Sequence, residues 1–92
     1  MLLRSLVVPA LLAVTLPAVA AERTAVLEVE NMYCATCPYI VREALLRVEG
    51  VANVAVSLDE RTATVVYDDT TADLDALSAA ATDAGYPARA RR

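Results

Sequence analysis

The chain has 92 residues, 58% of them hydrophobic and 4% aromatic, with eight Lys and Arg against twelve Asp and Glu for a net charge of -4. That length holds one small domain, and the acidic balance argues against nucleic acid, whose phosphates need a basic face. With no His in the chain, Ser-His-Asp and Cys-His catalysis, histidine-bearing zinc or iron sites and an imidazole general base are all excluded.

Residues 1–21 carry an early cation, Arg4, an apolar run from residue 6 to residue 16, and then small residues in which Ala18-Val19-Ala20 fits an A-x-A cleavage pattern. Val19-Ala20-Ala21 fits almost as well. These are the three parts of a secretory signal peptide. A retained anchor is the rival reading, but Pro9 and Pro17 interrupt the run, which is shorter than the roughly 20 apolar residues a spanning helix needs. The expected organisation is a signal peptide over 1–21, cleaved near residue 20 or 21, and one domain over 22–92.

Residues 24–30, TAVLEVE, are β-branched and alternating, which predicts a half-buried strand. From Cys37 the period changes: Cys37, Val41, Ala44, Leu45 and Val48 fall on one helical face. Pro38 suits the first helical turn, where its missing N–H is no loss, and Gly50 is a natural stop. Val54, Val56 and Leu58 alternate into a second strand, Asp59-Glu60-Arg61 make a tight turn, and Ala63, Val65 and Tyr67 form a third strand. After a polar loop at 68–71, Leu74, Leu77, Ala81 and Ala84 form a second apolar stripe, with Asp73 and Asp75 at its positive N-terminal end. Gly85 ends that helix, Tyr86-Pro87 turns the chain, and residues 88–90 make a short edge strand. The order β-α-β-β-α-β predicts an α+β, ferredoxin-like fold, a four-stranded antiparallel sheet with both helices on one face.

One constellation carries chemistry. In Met32-Tyr33-Cys34-Ala35-Thr36-Cys37, Cys34 falls in the loop before the first helix and Cys37 in its first turn. Residues three apart become neighbours once the turn is helical, and the helix N-terminus favours thiolate over thiol. Two soft sulfurs with no third strong ligand select soft ions that accept low coordination, Cu(I) or Hg(II). Structural zinc and iron–sulfur clusters want four ligands and would form only across two chains. A structural disulfide is the plainer alternative in an exported domain, although a bridge closing so short a loop removes little unfolded-state entropy. A redox-active pair is a third reading, set back by a strand order and length unlike thioredoxin's. Haem attachment fails, because Pro38 stands where C-x-x-C-H needs histidine. Asp68, Asp69, Asp73 and Asp75 match no EF-hand spacing, and a helix cap is the simpler account of them.

The hexapeptide at 32–37, Val48-Glu49-Gly50-Val51, Ala63-Thr64-Val65 with Tyr67-Asp68, and Ala84-Gly85-Tyr86-Pro87 together resemble the heavy-metal-associated domain family over essentially all of residues 24–89. The resemblance is strongest to its periplasmic mercuric-ion-binding branch, which shares the signal peptide, the free-standing domain, Pro after the second cysteine and the Ala-Gly-Tyr-Pro ending. It implies a periplasmic, monomeric carrier, not an enzyme, that holds one soft metal ion per chain on Cys34 and Cys37. Hg(II) leads and Cu(I) is the alternative. The implied partner is a membrane mercuric transporter or a metal-transporting ATPase, reached by thiolate exchange; a thiol-disulfide redox protein using the same cysteines is the reading from another class. By the same resemblance Met32 packs beneath the loop as an anchor, and Tyr86 stands in a loop that approaches the sulfurs. Tyr33 replaces the family's small hydroxyl residue beside the first ligand.

Overall fold

The structure, a computed structural model, describes residues 21–91; the expected signal peptide, Ala21 apart, and Arg92 lie outside them. Among the described residues no helix is long and apolar enough to cross a membrane. The element order is β1 (Glu22–Val29), α1 (Cys37–Leu46), β2 (Val51–Ser57), β3 (Thr62–Asp68), α2 (Leu74–Asp83) and β4 (Ala88–Ala90). The strands form one antiparallel sheet in the order β2-β3-β1-β4, the ferredoxin-like arrangement expected from the sequence.

Alternation sets which face of the sheet is buried. Leu27 pairs with Ala63 and Val54 with Val65, and all four are buried with Val29 and Tyr67. Cys37, Val41 and Leu45 of α1 and Leu77 and Ala81 of α2 close over them in a single cluster. The opposite face carries Glu28, Thr64 and Ala55, and there Arg89 and Arg91 approach Glu28 at 3.8 and 3.2 Å. Arg89 and Arg91 are thereby tied to β1, although exposed pairs of this kind contribute little.

Several boundaries differ from the sequence reading, each for a local reason; β2 begins at Val51, paired with Tyr67, and ends at Ser57, so that Leu58 falls in the turn. β1 begins at Glu22 because its ladder with β3 extends to Glu22 opposite Asp68. α1 ends at Leu46, short of Val48, whose N–H donates to the Leu45 carbonyl at 3.1 Å in a tightened turn. Gly50 therefore serves the turn into β2 rather than the helix end, with φ +99°. In α2 the buried stripe is Leu77 and Ala81; Leu74 is exposed, and Ala84 is the C-cap beyond the last turn.

Of the four acidic residues, Asp73 caps α2 as expected, whereas Asp68 and Asp69 bond elsewhere. The Asp73 side chain accepts from the Ala76 N–H at 2.8 Å, satisfying one free donor of the α2 N-terminus. Asp68 accepts from the Thr70 hydroxyl at 2.7 Å and the Thr70 N–H at 2.9 Å. Asp69 pairs with Arg23 at 2.8 Å.

Two predictions follow from these turns. A Cβ on Gly50 would lie 2.9 Å from the Thr71 Cβ and would sit on a left-handed backbone. Gly50→Ala should therefore destabilise by more than about 1 kcal/mol, read as a lower urea midpoint at unchanged slope. The Asp68 carboxyl is held below its ordinary range chiefly by the Thr70 hydroxyl, then by the Thr70 N–H and Thr71. A depressed native pKa adds stability above the ordinary carboxylate range and loses it as pH falls through the native value. The stability difference between wild type and Asp68→Asn should accordingly shrink as pH drops below about 4.

Candidate metal centre

The segment from β1 to α1 leaves the sheet through Asn31, whose φ of +68° bends the chain sharply; Asn tolerates this left-handed conformation better than most residues. Its side-chain amide donates to the Gly85 carbonyl at 3.4 Å, and the Glu30 N–H donates to the Pro87 carbonyl at 2.8 Å. The loop is thereby fastened to the α2–β4 turn that holds Tyr86. Next, Met32 drops into the core with no exposed surface. Tyr33, Cys34, Ala35 and Thr36 then run exposed until Cys37 re-enters the core at 4% exposure.

Cys34 and Cys37 are joined by a disulfide, their Cα atoms 5.2 Å apart. Local hydrogen bonds converge on the sulfurs. The Cys34 N–H donates to the Cys37 Sγ at 3.2 Å, and the Thr36 hydroxyl lies 3.5 Å from the Cys34 Sγ. Thr36 is the N-cap of α1, yet its side chain makes no capping bond and faces the sulfur instead. Pro38 occupies the first turn, where it removes an N–H that has no helical partner. Among the described residues no cluster of three or more His, Cys, Asp or Glu side chains gathers to hold an ion. Opened to thiolates, the pair is a soft, two-sulfur donor set at a helix N-terminus, where the partial positive charge favours the anionic form.

The other residues singled out from the sequence divide in their placement. Met32 is a core residue, its thioether packed among apolar side chains. Tyr86 is half-buried and packs against the core, its N–H bonded to the Ala81 carbonyl at 2.9 Å. Tyr33 is 72% exposed, and Tyr39 in the first turn of α1 is exposed as well. Two residues at this end escaped the sequence reading. Asn31 and Arg61 both have positive φ, and the Arg61 guanidinium lies 4.8 Å from the centre of the Tyr33 ring. An Asn just before the motif is a signal for a left-handed turn; no spacing rule links residues 33 and 61.

Fold and site together define a class, small open-faced α+β domains with a C-x-x-C at the start of the first helix. The heavy-metal-associated domain model matches residues 26–87. The chain is 46% identical over 83 residues to the "Mercuric transport protein periplasmic component" of Salmonella typhi, covering 90% of this chain and 91% of that one. Among solved structures, oxidised MerP from Ralstonia metallidurans CH34 superposes with a TM-score of 0.77 at 39% identity, covering 78% of this chain and all of that one. The mercury-bound form of MerP, the periplasmic protein of a bacterial mercury detoxification system, gives 0.70 at 44% identity, again over 78% of this chain and all of its own. The chain belongs to the heavy-metal-associated domain family.

The unequal burial of the two cysteines has a measurable consequence. In reducing solution Cys37→Ala should cost about 1 kcal/mol and Cys34→Ala should be close to neutral. Paired denaturation curves in the presence of a thiol reductant check the asymmetry.

Proposed function

We propose that this chain is an exported, periplasmic carrier that captures Hg(II) between the thiolates of Cys34 and Cys37 and passes it to an inner-membrane transporter by ligand exchange. On this reading residues 1–21 are the cleaved signal peptide and 22–92 the working domain, one ion is held per monomeric chain, and no substrate is turned over. The observation that carries it is the pair of sulfurs at the α1 N-terminus, one exposed and one set in the core. The mercuric-transport relative and the mercury-bound neighbour support the choice of ion.

The chemistry begins with reduction. A dithiol reductant of the compartment delivers two electrons and two protons to the disulfide, giving two thiols. Hg(II) then replaces those two protons, and the bis-thiolate centre is neutral. Low coordination leaves the ion open to a third thiolate, so a partner's sulfur adds before either protein sulfur departs. Cys34, on the exposed stretch, leaves first, and Cys37 holds the ion until a second partner thiolate displaces it. Burying Cys37 in this way keeps the ion attached throughout the exchange. Two thiolates alone do not separate Hg(II) from Cu(I) by softness; charge does differ, since the cuprous centre carries a net negative charge.

A second reading uses the same bond otherwise. Joined sulfurs at a helix N-terminus also suit thiol-disulfide exchange, and many turnovers in a disulfide reductase or isomerase assay would establish it in place of the carrier.

Replacing Cys34 and Cys37 together by Ala should abolish tight binding of mercuric ion by the reduced protein, while undiminished affinity would move the site elsewhere. Binding should release protons. The calorimetric heat below the usual thiol pKa of about 8.5 should therefore vary with the ionisation enthalpy of the buffer. Competition between mercuric and cuprous ions on the reduced protein decides the cargo.

A further inference from the structure

The four exposed residues 33–36 hang between two buried anchors, Met32 and Cys37. Their contacts are largely internal: the Cys37 N–H to the Cys34 carbonyl at 3.1 Å, the Cys34 N–H to the Cys37 sulfur at 3.2 Å, and Thr36 against the Cys34 sulfur. One contact reaches across to another part of the fold, where Tyr33 stacks under the Arg61 guanidinium in the β2–β3 turn. Arg61 is itself fixed in place. Its carbonyl accepts from the Val29 N–H at 2.9 Å, and its own N–H bonds the Leu58 carbonyl at 3.3 Å. The guanidinium therefore projects from a rigid turn bonded to the end of β1, whereas the ring it meets belongs to the least restrained stretch of the metal loop.

We propose that Tyr33 and Arg61 are positioning residues whose stacked pair tethers the Cys34 segment to the β2–β3 turn, and that this tether sets how often Cys34 swings away from Cys37 and how fast the ion is handed on. The inference rests on the carrier reading above. Cys37 cannot move without disturbing the core, so Cys34 is the sulfur that must swing when a partner's thiolate takes its place. Tyr33 is bonded directly to Cys34 in the chain, and its ring must slide or lift from Arg61 in that motion. An exposed cation–π pair biases such an equilibrium about two- to fivefold, enough to tune transfer without locking the ion in. The tether acts on release more than on affinity for an ion already gripped by two thiolates.

The test uses four single variants and one double. Arg61→Gln removes the cation while keeping a side chain at the same left-handed position, and Arg61→Lys retains the charge. Tyr33→Ala removes the ring and Tyr33→Phe keeps it. Reduced protein loaded with one equivalent of mercuric chloride is mixed with an excess of a fluorescent dithiol acceptor, and the transfer rate is read. Separately, exchange of the Cys34 amide hydrogen is measured on the reduced, metal-free protein, in which the Cys34–Cys37 bond is open and no ion is needed. Both rates should rise about two- to fivefold in Arg61→Gln and Tyr33→Ala and stay near wild type in Arg61→Lys and Tyr33→Phe. The Tyr33→Ala/Arg61→Gln double variant should be no faster than either single, as for two halves of one contact. Unchanged transfer in both disruptive singles, or additive effects in the double, overturns the proposal. Should the wild type take up no mercury, the carrier reading itself fails. Amide exchange then decides the tether alone: acceleration in the disruptive variants upholds it, and no change overturns it.

Discussion

Cys37 is packed into the core and Cys34 is not, and the character of the loop between β1 and α1 descends from that inequality. Cys37 lies in the first turn of α1, on the same helical face as Val41 and Leu45, so its sulfur is placed by the packing of the whole domain. Met32, fully buried, pins the loop on the other side. Between these anchors residues 33–36 lie exposed, outside the packed core. A pair built in this way has one sulfur set by the core and one on exposed chain, the combination that the proposed ligand exchange requires.

The sheet order explains why three connections meet at this end. With β1 flanked by β3 and β4, the loop leaving β1 lies beside both the β2–β3 turn and the turn entering β4. Backbone hydrogen bonds make each adjacency explicit, Val29 to the Arg61 carbonyl on one side and Glu30 to the Pro87 carbonyl on the other. Residues as distant in the chain as Asn31, Arg61 and Tyr86 are therefore gathered in the three connections at this end of the sheet for reasons of topology alone.

Most of this architecture is legible in the sequence because its signals are periodic. The alternation in β1 and β3 and the Cys37, Val41, Leu45 stripe need no tertiary information, and the C-x-x-C at a strand-to-helix passage is local too. Capping by Asp73 was legible for the same reason. Exposure of Leu74 was not: it falls on the right period, but at the first position of α2 it lines an open groove with Ala25 and Tyr67 instead of closing into the core. The early end of α1 has a similar origin, since Val48 continues the apolar stripe while its backbone has already tightened into the turn toward Gly50. The contact between Tyr33 and Arg61 was hidden altogether. It spans two loops, depends on a left-handed arginine, and has no periodicity to betray it.

The borders of the sheet have a bearing on life at high concentration. Unpaired strands invite other chains to add on and polymerise. Here one border is β4, three residues long with Arg89 at its centre. The other is β2, whose register against β3 slips between Val51 and Asn53, and such an irregularity twists a strand out of line for a straight neighbour. Neither margin offers a long flat template, so both edges discourage the addition of a further strand.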